Sequence, residues 1–336
     1  MKTSDFDYDL PQELIAQTPV VPRDSSRLLV IDRERENIEH RVFRNVIDYL
    51  EADDVLVMND SRVIPARLIG KKDTGATVEA VLIRKTDEGL WKAIVRPGNK
   101  VKTGNRLVFG DLTCEVAEHC DDSTRLLDFR GEGDKTILST GKLAIPPYIH
   151  IYPDDPESYQ TIYSRIDGSV AAPTAGLHFT PELLGRIREK GIRTAFVTLH
   201  VGIGTFRPVK CEHIKDHEMH EEFYTISKET AETINSARKN GKRVFAVGTT
   251  TIRTLESVVR KRGELVADSG TTDIFIYPPF EFEVIDALIT NFHLPKSTLL
   301  MLVSAFAGRD LVMKAYEAAV RERYRFFSFG DACLVI

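Results

Sequence analysis

The stretch Val244–Gly263, VFAVGTTTIRTLESVVRKRG, indicates the fold class. Its first four residues are apolar, which predicts a short buried strand. A glycine and three threonines follow, and Thr249–Arg262 then predicts a helix that ends at Gly263. A strand that passes through one turn into a helix is the repeating unit of an α/β fold. The class expected from this stretch is therefore α/β, with a largely parallel sheet flanked by helices.

The same alternation continues on both sides of this stretch. Thr180 and Pro181 form an N-cap and first-turn pair for a helix that ends near Gly191, and a strand over 192–199 follows. Ser227 caps a helix through Asn240. Further predicted strands cover 28–31, 55–58, 274–277 and 284–290, an amphipathic helix covers 42–50, and two helices precede the tail.

Between about Ala66 and Ile149 the pattern changes to five short alternating runs, separated by Gly, Asp and Asn. Closely spaced short strands of this kind predict a small β-barrel. We therefore expect an α/β domain made of residues 1–64 plus 150–336, with an inserted β-barrel domain over residues 65–149.

Composition excludes several classes of protein. The chain has 336 residues, a formal net charge of -5 and 42% hydrophobic residues, which is ordinary for a folded protein and unlike disordered or fibrous chains. The polar, acidic start and the absence of an 18-residue apolar window predict no export signal and no membrane contact, so a cytoplasmic location is expected. The four cysteines lie too far apart for the usual zinc-finger or thioredoxin spacings.

Polar segments follow three of the predicted strands, at residues 59–67, 200–207 and 248–253. Open α/β sheets bind ligands beyond the carboxyl ends of their strands. A glycine and three threonines at a helix start offer free N–H groups and hydroxyls to a carboxylate or phosphate. Alternatively, Thr249 simply caps its helix.

The glycines Gly202 and Gly204 resemble the opening of a dinucleotide fingerprint, but its third glycine would fall on Arg207. Two glycines let the backbone approach a ligand closely, and Arg207 supplies a planar donor for an anion. A tight turn or β-bulge accounts for the glycines equally well.

The cluster of histidines and glutamates over 213–221 lacks the zincin spacing, so we expect no metal site there. It is either a polar strip that contacts a ligand or a solvated face.

One histidine stands out because small residues surround it. His178 lies in AAPTAGLHFT (171–180) directly before a helix, where an imidazole could orient or transfer a proton, or simply pack in a turn. Asn291 and His293 occupy a similar place after the 284–290 strand.

Basic residues cluster over 84–106 and over 238–262, and each cluster could hold a phosphate backbone or form a solvated face.

Seven strings occur in order along nearly the whole chain: NDSRVIPARL (59–68), AAPTAGLHFT (171–180), LHVGIGTFRPV (199–209), HEMHEEFY (217–224), GTTTIRTLES (248–257), TNFHLPKSTLLMLVSAFAG (290–308) and RFFSFGDACLV (325–335). Together they resemble the S-adenosylmethionine:tRNA ribosyltransferase-isomerase family of queuosine biosynthesis. The departures are small, with Phe329 and Cys333 in place of the family's Tyr and Met.

The resemblance implies an enzyme that transfers and isomerises the ribosyl part of S-adenosylmethionine onto 7-aminomethyl-7-deazaguanine at the wobble position of tRNAs with a GUN anticodon. The product is epoxyqueuosine-tRNA, and adenine and methionine are released. The resemblance also implies an α/β domain with an inserted β-barrel. No metal or cofactor is expected beyond S-adenosylmethionine as co-substrate, and we expect a monomer.

The chemistry of this reaction and the charge pattern of the chain suggest roles for individual residues. His178 and His200, with His217 and His220 behind them, are candidate proton carriers, and Asp273 is an alternative base. Arg207, Thr249 and Thr250 could hold the methionine carboxylate, while Asn59 and Asp60 could bind the ribose or the adenine. The other candidate substrate contacts are Arg62, Arg67, Thr174, Gly202, Gly204, Thr205, Glu221, Arg253, Asn291 and His293. The candidate tRNA contacts are Arg96, Lys100, Lys102 and Arg106.

Two other classes of function remain open at this point. A small-molecule α/β enzyme that binds a dinucleotide would explain the glycines at 202 and 204, but it would not explain the basic residues of the predicted barrel. A non-catalytic RNA-binding protein would explain the basic clusters but not the polar strand ends. Affinity for RNA that falls steeply with salt separates the dinucleotide enzyme from the other two.

Overall fold

The structure, a computed structural model, describes residues 1–121, 123–202 and 209–336. Within them the strands are β1 (Arg27–Asp32), β2 (Asn37–Val42), β3 (Val55–Asn59), β4 (Ser61–Val63), β5 (Arg67–Lys72), β6 (Thr77–Lys85), β7 (Trp91–Arg96), β8 (Arg106–Phe109), β9 (Leu112–His119), β10 (Arg125–Asp128), β11 (Ile166–Ser169), β12 (Arg193–Leu199), β13 (Glu222–Ile226), β14 (Val244–Val247), β15 (Asp268–Thr272), β16 (Ala287–Asn291) and β17 (Ala332–Val335). The α-helices are α1 (Asp134–Ser139), α2 (Pro181–Glu189), α3 (Lys228–Lys239), α4 (Thr249–Arg262), α5 (Thr298–Ala307) and α6 (Arg309–Arg321).

The described chain divides into two compact units. The first comprises Met1–Ser61, Pro147–Ile166 and Ala172–Ile336, and the second comprises Arg62–Pro146 and Asp167–Ala171. The first unit contains a nine-stranded sheet with helices, and the second contains a closed barrel of six strands. The predicted fold class, an α/β layer with an inserted barrel, is confirmed.

The large sheet has the strand order β15-β13-β12-β3-β14-β16-β17-β1-β2. Its centre is parallel, since β3 pairs in parallel with β12 and with β14, and β14 pairs in parallel with β16. Towards the edges, β13, β15 and β2 add antiparallel pairings, so the sheet as a whole is mixed. Because the four central strands run in the same direction, their carboxyl ends meet at one edge.

Strands β3, β14 and β16 are buried along their whole length, which explains why the sequence shows them as largely apolar runs. Leu56 and Met58 of β3 pack in one cluster with Phe245 and Val247 of β14. Leu183, Leu184 and Ile187 of α2 belong to the same cluster. Burial of this helix face against the sheet stabilises the layer, since the hydrophobic contribution grows with the apolar area removed from water.

The helix starts follow the capping residues in the sequence. The Thr180 hydroxyl accepts a hydrogen bond from Leu183 N at 3.2 Å, and Ser227 accepts one from Thr230 N at 3.1 Å. Helix α4 differs, because its N-cap is Gly248 with φ +87°, and Thr249 is already the first helical residue. The interpretation of Thr249 as a simple cap is therefore wrong.

Two predicted strands differ from the structure. Residues 274–277 form no strand, since they lead directly into Pro278-Pro279, whose nitrogens cannot donate to a ladder. The last parallel strand begins at Ala287 rather than at residue 284. The reason is Glu256 of α4, whose carboxylate accepts the N–H groups of Glu283 and Val284 and keeps them out of the ladder.

The barrel has the strand order β10-β7-β6-β5-β8-β9, and each pair of neighbouring strands in it is antiparallel. Alternate residues point inwards, and Val78, Ala80 and Leu82 of β6 are buried. Gly70 of β5 allows a close strand approach, because a Cβ there would lie 2.0 Å from the Val108 carbonyl oxygen. Among the described residues, no helix combines the length and apolar character needed to cross a bilayer.

Candidate active site

The carboxyl edge of the four parallel strands gathers most of the polar segments noted in the sequence. The ladder places Asn59 opposite Val197, and it places Val247 opposite both Met58 and Ile289. Strands β3, β12, β14 and β16 therefore end side by side. Segments far apart in sequence thus meet at the edge where open α/β sheets bind their ligands.

Asn59 extends the pairing of β3 with β12 through its side chain. Its amide nitrogen donates to Leu199 O at 3.0 Å, and its Oδ1 accepts the N–H groups of Leu199 at 3.1 Å and Ser61 at 3.0 Å. Asn59 is fully buried. Its side chain thus replaces a backbone ladder unit and fixes the end of β12 beside the end of β3.

Asp60 is a buried carboxylate with two short hydrogen bonds. Oδ1 accepts from the Thr198 hydroxyl at 2.6 Å, and Oδ2 accepts from Arg165 Nε at 2.6 Å. Only 2% of the Asp60 side chain is exposed, whereas 66% of Arg165 is exposed. The sequence analysis did not identify Thr198 or Arg165, which give Asp60 a fixed orientation.

The start of α4 carries three threonine hydroxyls and backbone N–H groups that have no acceptor within the helix. Thr251 Oγ1 donates back to Val247 O at 2.7 Å, so this threonine is committed to the helix. Thr250 Oγ1 is buried and has no hydrogen-bond partner among the described residues. The 14-residue helix also directs its positive dipole end to this point. This turn can therefore receive an anionic group of a ligand.

A buried ion pair links three of these segments. Arg253 of α4 contacts Glu222, the first residue of β13, through Nη1 and Oε2. Glu222 Oε1 accepts the N–H of Gly202 at 2.9 Å, and Arg253 Nε donates to Ile274 O at 3.4 Å. Sequence reasoning missed Glu222. A signal was present, because strand alternation puts Glu222 on the same buried face as Tyr224 and Ile226.

His178 lies at the end of a short 3₁₀ helix, Thr174–His178, and is buried. Its Nδ1 is 2.8 Å from the Ser26 hydroxyl, and its Nε2 is 3.0 Å from the amide nitrogen of Asn291. The amide of Asn291 also donates to Phe327 O at 3.2 Å, and this carbonyl can only accept. The amide nitrogen of Asn291 therefore faces His178, so Nε2 accepts and Nδ1 carries the proton.

Burial determines the charge of this imidazole. Desolvation, with a smaller contribution from the Arg23 guanidinium, lowers the pKa of His178 from 6.5 to about 3. The ring also stacks on Phe43 with centroids 4.9 Å apart. Both ring nitrogens are in use, and Thr174 completes the network by donating to Asn291 Oδ1 at 3.1 Å. His178 is thus a neutral connector between Ser26 and Asn291.

His293 is also buried and neutral. Its Nε2 is 2.9 Å from the Thr290 hydroxyl, and burial lowers its pKa from 6.5 to about 3. Its backbone N–H binds the Tyr316 hydroxyl at 3.2 Å, and its carbonyl accepts from Tyr8. These contacts join the end of β16 to helix α6.

The other candidate proton carriers are more accessible. His200 is half-buried at the end of β12, where its ring stacks on Phe223 with centroids 5.9 Å apart. His217 is half-buried against Phe275, and this burial lowers its pKa, as does the neighbouring His220. His220, Glu221 and Asp273 are exposed. Asp273 directly precedes Ile274, whose carbonyl binds Arg253.

Several predicted residues lie elsewhere or outside the described residues. Arg62 and Arg67 belong to the second compact unit, where they pair with Asp167 at 4.0 Å and Glu79 at 2.8 Å. Gly204, Thr205 and Arg207 lie outside the described residues. Within residues 1–121, 123–202 and 209–336, no three His, Cys, Asp or Glu side chains group as metal ligands would.

Comparisons with known proteins identify the family. Residues 3–335 match the family model described as "Queuosine biosynthesis protein". The S-adenosylmethionine:tRNA ribosyltransferase-isomerase of Thermotoga petrophila is 57% identical over 340 residues, and that of Clostridioides difficile is 54% identical, each match covering 100% of both chains. A crystal structure of S-adenosylmethionine tRNA ribosyltransferase from Thermotoga maritima is 48% identical and aligns with a TM-score of 0.60, covering 99% of this chain and 100% of that one.

The geometry around His178 predicts that its ring does not titrate near neutral pH. In the protein labelled with ¹⁵N-histidine, two-bond ¹H–¹⁵N spectra should show a neutral ring protonated on Nδ1 from pH 5.5 to 8. The His178→Gln variant assigns the signal. A His178 signal that titrates with a midpoint near 6.5 would contradict both the burial and the hydrogen bonds described above.

Proposed function

Because the chain belongs to the queuosine biosynthesis protein family, we propose that it is an S-adenosylmethionine:tRNA ribosyltransferase-isomerase. It transfers and isomerises the ribosyl part of S-adenosylmethionine onto 7-aminomethyl-7-deazaguanine at the wobble position of tRNA with a GUN anticodon. The products are epoxyqueuosine-tRNA, adenine and methionine. The observation that carries the proposal is 57% identity to an enzyme of that name along the whole chain.

The reaction requires a base, an anchored substrate and access for an RNA. A base removes a proton from the 5′ carbon, which the neighbouring sulfonium acidifies, and adenine leaves. The aminomethyl nitrogen of the tRNA base then attacks the sugar, and methionine departs as the epoxide closes. Each of these steps needs the sugar to be held still beside a proton acceptor.

The start of α4 is the proposed site for the methionine carboxylate. Thr249 and Thr250 offer the first N–H groups of the helix, and the Thr250 hydroxyl has no partner among the described residues. A carboxylate at this position would gain hydrogen bonds and the favourable end of the helix dipole. Arg207 remains a proposed second contact, and Asn59 and Asp60 remain proposed neighbours of the ribose or the adenine.

Among the candidate bases, the geometry favours His200 and Asp273. His178 already uses both ring nitrogens, and its pKa of about 3 leaves it a poor proton acceptor. For His178 to take the 5′ proton, Asn291 would first have to turn away from Nε2. Asp273 is exposed beside the segment that Arg253 holds, and His200 lies two residues before Gly202. His217 and His220 remain proposed as more distant proton carriers.

The barrel surface is the proposed contact for the tRNA backbone. Arg96, Lys100, Lys102 and Arg106 are all exposed. Beneath them the buried Arg125 donates to Gly98 O at 2.8 Å and to Val101 O at 3.1 Å, which fixes the turn that carries the two lysines. Because the backbone of this turn is already fixed, its lysines can bind phosphates with little loss of conformational entropy.

The second basic cluster, over 238–262, is less available. Arg253 binds Glu222, Arg262 binds Asp268 at 2.6 Å, and Arg243 binds Asp54 at 2.7 Å. The barrel surface is therefore the stronger candidate. A tRNA substrate also supports the expectation of a cytoplasmic location, and we propose that the enzyme acts as a monomer.

The purified protein should convert 7-aminomethyl-7-deazaguanine in tRNA to epoxyqueuosine when only S-adenosylmethionine is added. Mass spectrometry of the digested tRNA measures the product, and release of adenine and methionine gives the stoichiometry. A tRNA that carries unmodified guanine at the wobble position is the control. Absence of product while both substrates bind would refute the proposal.

The same assay separates the candidate bases. Replacing a general base costs roughly 10² to 10⁴ in turnover, so Asp273→Asn or His200→Gln should show a loss of that size with substrate binding retained. His178→Gln should instead lower the thermal stability of the protein and leave turnover largely unchanged. Exchange of the 5′ hydrogens with deuterated solvent reports the proton transfer itself. If His178→Gln alone abolished that exchange in a folded protein, His178 would be the base.

Salt dependence tests the barrel surface. If Lys100, Lys102 and Arg106 contact phosphates, replacing all three with Ala should weaken tRNA binding and reduce the slope of log K against log salt by up to about one unit per contact. Lys314→Ala, an exposed change on α6, is the matched control. An unchanged slope in the triple variant would make this surface an ordinary solvated face.

A further inference from the structure

Glu222 is a buried carboxylate at the meeting point of three segments of the candidate site. Its Oε1 accepts from Gly202 N at 2.9 Å, just after β12, and its Oε2 pairs with Arg253 Nη1 on α4. Arg253 in turn binds Ile274 O beside Asp273. The side chains of Glu222 and Arg253 are 4% and 6% exposed, so both charges are shielded from water.

Stability alone is a weak account of such a pair. Removing two charges from water is costly, and apolar residues of similar size often serve the fold equally well or better. The pair does achieve something that apolar residues cannot. The Glu222 carboxylate fixes the position of the Gly202 N–H group and the orientation of the Arg253 guanidinium. Its effect therefore lies in the geometry of the segments that it joins.

One donor of this unit is unused. Arg253 Nη2 is buried and has no hydrogen-bond partner among the described residues. A buried donor without a partner carries a desolvation cost, which a ligand oxygen would remove. Because Glu222 already neutralises the guanidinium, the pair has no net charge to attract an anion. The unused donor therefore suits a neutral acceptor such as a sugar hydroxyl better than it suits a carboxylate.

We propose that Glu222 is a positioning residue that holds Arg253 so that its Nη2 donates to a ribose hydroxyl of S-adenosylmethionine. The same carboxylate holds Gly202 at the end of β12. This inference rests on the proposed function, since it takes S-adenosylmethionine as the ligand. It assigns the sugar to the Glu222–Arg253 pair and leaves the methionine carboxylate to the start of α4.

The test compares ligands that lack single groups. Calorimetry measures binding of S-adenosylmethionine, its 2′-deoxy and 3′-deoxy analogues, and its decarboxylated analogue to the full chain. In the wild type, losing one of the two hydroxyls should weaken binding about 10-fold, as expected for one hydrogen bond to a charged donor. In Glu222→Gln the same loss should cost less than about 2-fold, since the donor is no longer held in place. The penalty for decarboxylation should be equal in the two proteins.

Arg253→Lys is the second variant, and it carries the test if Glu222→Gln does not fold. A lysine keeps the positive charge beside Glu222 but lacks the second donor of the guanidinium. Discrimination between the hydroxyl and deoxy ligands should therefore disappear in Arg253→Lys, while the carboxylate penalty remains.

Asp54→Asn is the matched control at the opposite end of the same strands. Asp54 is a buried carboxylate that binds Arg243 Nη2 at 2.7 Å and Arg243 N at 3.1 Å, before β3 and β14 begin. This change should lower thermal stability and leave ligand discrimination at its wild-type value. A purely structural role for Glu222 would make the two variants behave alike.

The outcomes distinguish the inference from the proposed function. If the wild type forms epoxyqueuosine-tRNA but Glu222→Gln keeps full hydroxyl discrimination, the inference fails and the function stands. If the wild type discriminates hydroxyls but forms no product, the proposed function fails alone. Equal loss of affinity for every analogue in Glu222→Gln would also overturn the inference, because it would place the effect on the whole fold.

Discussion

The parallel pairing of β12, β3, β14 and β16 is the constraint on which the candidate site depends. Parallel strands must all end at the same edge, so four segments as far apart in sequence as Asn59 and Asn291 end side by side. Asn59 reinforces this arrangement by continuing the ladder with its side chain. If these strands did not all run in the same direction, the polar residues that follow them would lie at opposite edges of the sheet.

Buried polar groups then fix what the strands bring together. Glu222 with Arg253, and His178 with Asn291 and Ser26, are networks in which most donors and acceptors are matched. Such networks resist distortion, because any displacement would leave a polar group unpaired in a poorly solvated interior. Within the part of the chain that the structure describes, Arg253 Nη2 and Thr250 Oγ1 are buried donors without a partner, and both lie on the first turns of α4.

Much of the fold was predictable from local patterns. The buried strand Val244–Val247, the turn at Gly248 and the helix that ends at Gly263 agree with the sequence to the residue. The pairings at the sheet margins were not predictable, since β17 at the end of the chain joins β1 near its beginning. Contacts of that separation leave no periodic signal in the sequence.

The site was predictable in its segments but less so in its individual side chains. Strand ends and glycines indicated where a ligand could bind, whereas hydrogen-bond partners decide what each side chain can do. His178 illustrates this, because only the positions of Ser26 and Asn291 reveal that its ring nitrogens are occupied. Glu222 was not identified from the sequence, and its place in the candidate site follows from its burial and its pairing with Arg253.

Hydrogen–deuterium exchange with and without S-adenosylmethionine tests the central claim most directly. If the four strand ends form the substrate site, the ligand should slow exchange in peptides that contain Gly202, Thr249–Arg253 and Asn291. Peptides from the barrel strands should be unchanged by S-adenosylmethionine alone. Protection confined to the barrel, or no protection at the strand ends when calorimetry confirms that the ligand is bound, would contradict the account.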